Sequence, residues 1–117
     1  MKIDWAYFRK GWKSSKKAQE ALDASKITIQ KIVDARKEKY NLEETWKLIS
    51  NAKVITTAKG KKANNWDLKK DDKNIILKHA LGTSNNLRVP TLIYNKKIII
   101  GFNSELYDTL IKEIVNK

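Results

Sequence analysis

Hydrophobic and polar positions follow first a strand pattern and then a helix pattern in the N-terminal third of the chain. Apolar residues within 2–8 predict a first strand that ends near Gly11. Apolar residues then recur at helical spacing, which predicts a helix beginning at Lys13 or Ser14. The β-branched run 27–33 predicts a second strand.

Two further helices are predicted from their capping residues. Asn41 with Glu44 three residues later is a variant of the capping box, and the apolar face that follows extends to about residue 51. Asp71 or Asp72 can cap the next helix, which Gly82 is expected to end.

The segment between these helices has the weakest pattern. Residues 54–57 are typical of a short strand, whereas 59–62 and 64–65 are predicted to be loop because they are rich in Lys, Gly and Asn. After a connecting loop, 91–94 and 97–100 predict two strands joined tightly enough to form an antiparallel hairpin.

The last element is an amphipathic helix that begins at Asn103 or Ser104. The order is therefore strand–helix–strand–helix, a further helical stretch, and strand–strand–helix. A strand–helix–strand start predicts parallel pairing through a right-handed crossover, and the hairpin adds antiparallel strands to the same sheet. We predict one α/β domain over 1–117, thioredoxin-like, with a central mixed sheet of about four strands flanked by helices.

The composition is typical of a globular chain and bears on its cellular location. Hydrophobic residues make up 41% and charged residues 32%, with one proline and four glycines. No apolar run approaches the roughly 20 residues that span a bilayer, and no signal peptide is recognisable. We therefore expect a cytoplasmic protein with no membrane partner. The absence of cysteine excludes a disulfide framework.

The net charge of +12 favours anionic partners through long-range attraction. Six of the cations fall in the first 17 residues, and a second cluster comprises Lys59, Lys61 and Lys62. The alternative is that these lysines form ordinary solvated surface in a chain that is simply rich in lysine.

Several separated segments resemble the arsenate-reductase-like group of thioredoxin-fold proteins. The first is 7–20, Tyr-Phe-Arg-Lys-Gly-Trp-Lys-Ser-Ser-Lys-Lys-Ala-Gln-Glu. The others are 33–38, 87–92 and 101–103, so the resemblance extends over most of the chain. In particular, the chain is similar to a branch that contains selenoproteins.

The resemblance places Trp12 and Ser15 at the two redox positions, where relatives carry a C-x-x-C or selenocysteine-x-x-C pair. The activity implied is thiol- or selenol-dependent reduction through a mixed disulfide, without a separate cofactor. A thiolate at a helix N-terminus has a lowered pKa, and the same position can hold an oxyanion. As written, the chain lacks the atoms for this reduction, so whether it is an enzyme stays open.

The resemblance also implies a substrate or anion site beside the redox positions. In the family, the proline that matches Pro90 follows a cis peptide bond and lies against the active-site loop. Arg88 is expected to make a bidentate contact with an oxyanion. The six residues assigned to this site are Arg9, Gly11, Lys13, Ser14, Arg88 and Pro90. The expected partners are a thiol-bearing protein or a small oxyanion, and a monomer is expected.

Two accounts of Trp12 are open. In the first, catalysis was lost naturally, and Trp12 packs as a half-buried aromatic over the helix start. Alternatively, codon 12 is UGA, meant as selenocysteine and decoded as tryptophan. Ser15 argues against the second account, because the partner thiol is also missing.

Other functions need residues that the sequence does not place together. A serine nucleophile at Ser14 or Ser15 needs a general base, and His79, the only histidine, lies on a different predicted helix. Both serines are better explained as cap or first-turn residues, and a lone histidine does not make a zinc site. The alternative function is that of a Spx-type regulator or nucleic-acid-associated protein, which would be favoured by an exposed aromatic and lysine surface.

Overall fold

The computed structural model describes residues 2–116. The helices in this range are Lys13–Ala24 (α1), Leu42–Ile49 (α2), Lys73–Ala80 (α3) and Ser104–Val115 (α4). The strands are Lys2–Ile3 (β1), Trp5–Phe8 (β2), Thr28–Ile29 (β3), Ile32–Asp34 (β4), Val54–Lys59 (β5), Lys62–Trp66 (β6), Thr91–Tyr94 (β7) and Lys97–Ile100 (β8). None of the helices in the described range is long and apolar enough to cross a membrane.

Six strands form one mixed sheet in the order β4-β2-β7-β8-β5-β6. The parallel pairing of β2 with β4 confirms the prediction from the strand–helix–strand start. The predicted hairpin is also confirmed: β7 and β8 pair antiparallel, and β7 pairs antiparallel with β2. Asn95 and Lys96 both have positive φ, as a tight two-residue hairpin turn requires.

The predicted count of about four strands is wrong, chiefly because 62–66 is a strand and not a loop. This strand, β6, pairs with β5 along its whole length, from Lys59 opposite Lys62 to Ile55 opposite Trp66. It lies at the edge of the sheet and is exposed except at Trp66. An edge strand needs few apolar residues, so the Lys and Asn content of β6 led to the prediction of a loop.

The predicted strands 2–8 and 27–33 are each divided in two. β1 and β3 form a separate two-stranded parallel sheet, whereas β2 and β4 belong to the large sheet. The division falls at Asp4, whose carboxylate accepts the backbone N–H of Asn95 at 2.9 Å. Backbone hydrogen bonds from Gln30 to Ile3 and from Ala6 to Lys31 continue across the division. The chain therefore bends at Asp4 without losing its pairing.

Two hydrophobic clusters pack on opposite faces of the large sheet. Alternation along β2 sends Ala6 and Phe8 into the cluster with α1 and α4, and Tyr7 into the cluster with α2 and α3. The β7–β8 hairpin divides in the same way, with Leu92 in the first cluster and Ile98 in the second. The sheet is thus covered by helices on both faces, as predicted.

Side chains cap three of the four helix starts. The capping box at the start of α2 is confirmed, since the Asn41 side chain accepts the N–H of Glu44 at 2.9 Å. Asp72 caps α3 and Asn103 caps α4. α3 ends at Ala80, with Leu81 as its C-cap and Gly82 directly after it, as predicted.

Tyr107, on α4, has a buried hydroxyl that makes no hydrogen bond among residues 2–116. Burial raises the pKa of this phenol, which therefore stays neutral. An unsatisfied buried hydroxyl costs about 1–3 kcal/mol. We expect Tyr107→Phe to raise the free energy of unfolding by about 1 kcal/mol, measured by urea denaturation.

Tyr7→Phe is the matched control for this prediction. Tyr7 is equally buried, but its hydroxyl donates to the carbonyl oxygen of Glu38 at 2.6 Å. Its loss leaves that carbonyl without this donor and should lower the free energy of unfolding by about 1 kcal/mol. Equal destabilisation by both substitutions would contradict the assignment of Tyr107 as unsatisfied.

Candidate functional site

The turn between β2 and α1 sets up the first wall of the site. Gly11 has a φ of +90°, a conformation that side chains with a Cβ rarely adopt, and the N–H of Trp12 closes the turn on the carbonyl of Arg9 at 3.2 Å. Trp12 is the N-cap residue of α1, and the helix begins at Lys13 as predicted.

Unlike the other helices, α1 begins without a side-chain cap. Within the described chain, the N–H groups of Lys13, Ser14 and Ser15 have no backbone acceptor, whereas that of Lys16 bonds to the carbonyl of Trp12. Free N–H groups at a helix start carry partial positive charge. This end of α1 can therefore accept an anion from outside the helix.

The two residues at the predicted redox positions lie in different environments. Ser15 is buried, and its hydroxyl oxygen accepts the backbone N–H of Arg9 at 3.0 Å, so it ties the turn to the helix. Trp12 is 50% exposed, and the Arg9 guanidinium lies 5.0 Å from its ring centroid. Neither side chain supplies a thiol or another low-pKa nucleophile.

The loop before β7 forms the opposite wall. The Val89–Pro90 peptide bond is cis, and the buried Pro90 accepts the N–H of Gly101 on its carbonyl at 2.8 Å. The Thr91 hydroxyl donates to the carbonyl of Arg88 at 2.7 Å. These bonds hold the loop against the large sheet, and Arg88 and Val89 line the same cavity as Trp12 and Ser14.

A cavity of about 360 Å³, here called the Trp12 cavity, lies between these two walls. Four predicted site residues line it: Arg9, Trp12, Ser14 and Arg88. The other four do not. Gly11, Ser15 and Pro90 belong to the turn, helix and loop that form its walls but do not line it, and Lys13 is exposed outside it.

The other nine lining residues were not predicted as site residues, and two of them, Tyr7 and Lys39, bear on the chemistry of the cavity. Lys39 follows β4, whose carboxyl end lies beside the carboxyl end of β2 because the two strands are parallel neighbours. Ligands of open α/β sheets bind at such strand ends. That rule, applied to the second predicted strand, could have identified the segment that carries Lys39.

The lining is cationic. Arg9, Lys39 and Arg88 contribute positive charge, and none of the described lining residues is acidic. Arg88 forms no ion pair within residues 2–116. It donates to the carbonyl oxygens of Ala58 at 2.7 Å and His79 at 3.1 Å. Burial lowers the pKa of Arg88, although an arginine remains charged at neutral pH.

Tyr7 belongs to an aromatic cluster at the back of the cavity. Its ring stacks on Trp5 at 5.7 Å and meets Tyr40 edge-on at 5.3 Å. Burial raises the pKa of Tyr7, and the hydroxyl already donates to a backbone carbonyl. The phenol is therefore a rigid wall and not an acid for a bound ligand.

His79 does not join the serines. Its ring lies 4.9 Å from that of Trp66, and it is not among the residues that line the Trp12 cavity. Ser14 and Ser15 lie in the first turn of α1, as predicted. No group of three or more His, Asp or Glu that could hold a metal is found among residues 2–116. A comparison of the sequence with models of known protein families and with curated proteins finds no match.

Proposed function

We propose that this chain is a thioredoxin-fold homologue of the arsenate-reductase-like family that binds a small oxyanion and, as sequenced, does not reduce it. The observation that carries the proposal is the uncapped start of α1 opening into a cationic cavity that has no acidic lining residue. The cavity wall includes the loop that ends at Pro90.

The strand arrangement supports the thioredoxin-like assignment. β4-β2-β7-β8 forms a block in which the first two strands are parallel and the hairpin is antiparallel to β2. This is the arrangement expected from the sequence. The additional hairpin, β5–β6, extends the block at β8 and leaves its other edge unchanged.

Three features at the Trp12 cavity support the binding of an oxyanion. The free N–H groups of the first turn of α1 supply donors with the positive end of the helix dipole. The Arg9 guanidinium packs on the Trp12 ring, and both Arg9 and Lys39 line the cavity. A neutral ligand would leave these charges uncompensated, whereas a tetrahedral oxyanion offers several acceptor oxygens at once.

Loss of reduction follows from the two redox positions. An indole cannot form the bond to sulfur or arsenic that the family reaction needs, and the Ser15 hydroxyl is buried with no base beside it. The native codon 12 separates the two accounts of Trp12. UGG supports natural loss of catalysis, and UGA makes the native residue a selenocysteine.

Titration with sodium arsenate or phosphate, followed by amide NMR, tests the binding proposal. We expect saturable shifts at the amide of Ser14, which lines the cavity, and smaller shifts at Lys13 and Ser15 in the same helical turn. Arg9→Gln removes a cavity cation and should weaken binding on the order of fivefold, about 1 kcal/mol.

Lys17→Gln is the matched control. Lys17 is an exposed α1 residue outside the cavity, and its substitution removes the same charge. Equal weakening by both substitutions, or shifts that never saturate, would mean that the anion responds only to net charge. Turnover of arsenate by the chain in the presence of a thiol reductant would contradict the loss of catalysis.

A further inference from the structure

A second concave surface, here called the hairpin groove, shares Arg88 with the Trp12 cavity. It has a volume of about 560 Å³ and lies between the β5–β6 hairpin and the end of α3. It adjoins the Trp12 cavity, since Gly82, Thr83 and Arg88 line both. Its polar and charged wall includes Thr57, Lys59, Lys62, Asn64, Lys78 and Arg88.

The cations of this groove converge from three separate parts of the fold. Lys59 ends β5 and Lys62 begins β6, on either side of the hairpin turn. Lys78 lies in the last turn of α3, and Arg88 precedes β7. None of the described lining residues is acidic, and all three lysines are exposed. None of the four cations takes part in an ion pair within residues 2–116.

The hairpin keeps like charges together at a cost. Lys59 and Lys62 are directly opposite in the β5–β6 register, and like charges in that position destabilise a strand pair. Lysines on an edge strand also prevent unwanted strand pairing. That role does not require Lys78 and Arg88 to line the same groove, so edge protection alone does not explain the arrangement.

Arg88 reduces the repulsion that the C-terminal end of α3 would exert on an anion in the groove. The C-terminal end of α3 would repel one through its free carbonyls. Arg88 donates to the carbonyl of His79 in that last turn, and its second bond to Ala58 holds the guanidinium in place. The end of α3 is thus partly neutralised by a residue of the groove itself.

We propose that the hairpin groove binds the phosphodiester backbone of single-stranded nucleic acid. Four cations along a groove suit a chain of regularly spaced charges better than one small anion. The groove adjoins the cavity lined by Trp12, whose ring carries the Arg9 guanidinium but is half exposed, so that a base can stack on it. A concave groove fits a single strand, whereas a duplex is read by an element that protrudes into it.

Lys59, Lys62 and Lys78 line the hairpin groove and not the Trp12 cavity, so their substitution tests the groove separately from oxyanion binding. The aromatic ladder that would make a broad stacking surface is absent from the described residues. Trp5, Trp46 and Trp66 are partly buried, and Trp12 is the most exposed tryptophan. We therefore expect one stacked base and a contact dominated by phosphates.

Fluorescence anisotropy with a labelled oligothymidylate of about 12 nucleotides tests the proposal. The intact chain should bind at low salt, with affinity that falls as salt rises. The triple substitution Lys59→Gln, Lys62→Gln, Lys78→Gln should weaken binding at least about tenfold and reduce the salt slope by about 2, since each phosphate contact on a single strand contributes about 0.7.

The control removes the same charge elsewhere, through Lys31→Gln, Lys47→Gln and Lys112→Gln. These lysines are exposed and line neither surface. The control should bind within about threefold of the intact chain. Equal loss in both triple variants, or no binding at low salt, overturns the proposal.

Two competitors and one substitution decide the class of ligand. Trp12→Ala should weaken oligothymidylate binding by a larger factor than it weakens binding of inorganic polyphosphate. Equal effects on both ligands would overturn the stacking of a base. Tighter binding of duplex DNA than of the single strand, or equal competition by polyglutamate, would overturn the assignment to single-stranded nucleic acid.

Discussion

The double variant Trp12→Cys/Ser15→Cys is expected to form an intramolecular disulfide and to gain dithiol exchange activity that the parent chain lacks. Positions 12 and 15 are the N-cap and third residue of α1, so they lie on one face of the first helical turn. That spacing falls within the range of Cα separations that a disulfide spans.

The introduced thiol at position 12 should be the reactive one. Trp12 is half exposed, and the free N–H groups at the start of α1 stabilise a thiolate there. A pKa lowered from about 8.5 to about 7 raises the thiolate fraction at pH 7 about 15-fold. The thiol at position 15 replaces a buried hydroxyl and should react slowly with external reagents.

Alkylation and mass spectrometry after exposure to oxidised glutathione measure the bond, and insulin reduction measures the exchange. Trp12→Cys/Ser14→Cys is the matched control, because residues two apart on a helix do not face each other. Free thiols at both positions of the first variant after oxidation would show that the two positions are not a redox pair.

Gly101→Ala is expected to cause the largest loss of stability from a single methyl group. A Cβ at Gly101 would lie 2.2 Å from the carbonyl oxygen of Ala58 and 3.1 Å from a guanidinium nitrogen of Arg88, and the φ of Gly101 is +94°. The left-handed conformation alone costs roughly 1–2 kcal/mol. We expect a total loss of about 3 kcal/mol or more, and a Tm lower by on the order of 10 °C.

Gly60→Ala separates the backbone conformation from the clash. Gly60 also has a positive φ, +59°, but no atom lies within 4 Å of the added Cβ. We expect a loss of about 1 kcal/mol there. Similar losses at both glycines would mean that the contact with Ala58 relaxes freely.

The same substitution connects the fold to the site. The carbonyl of Ala58 that a Cβ at Gly101 would displace is the one that holds the Arg88 guanidinium. Arg88 lines both the Trp12 cavity and the hairpin groove. We therefore expect surviving Gly101→Ala protein to bind anions more weakly than Gly60→Ala protein.

Much of the fold could be predicted because its strongest signals are local. The capping residues Asn41, Asp72 and Asn103 hydrogen-bond within three residues of themselves, so adjacent sequence is enough to identify them. The β7–β8 hairpin depends on a two-residue turn. The edge strand β6 could not be predicted in this way, since its pairing with β5, and not its composition, makes it a strand.

In the candidate site, too, local features could be predicted from the sequence and long-range contacts could not. The first turn of α1 and the residues around it follow from the spacing between Arg9 and Ser15, which are joined by a local hydrogen bond. Arg88 was predicted as an oxyanion contact, but two of its N–H groups are used by the carbonyls of Ala58 and His79. Ala58 is 30 residues away from it, so no local pattern could reveal that bond.

Local sequence alone establishes an alternating α/β chain, strongly cationic, with Trp12 and Ser15 at the start of a helix and no thiol anywhere. Only the folded chain decides which cations share a surface. Lys39 reaches the Trp12 cavity because β4 pairs with β2, and Lys59, Lys62 and Lys78 share a groove because β5–β6 joins the sheet beyond β8. The physical reason is that caps and turns depend on neighbours in sequence, whereas strand pairing brings charges together across the whole chain.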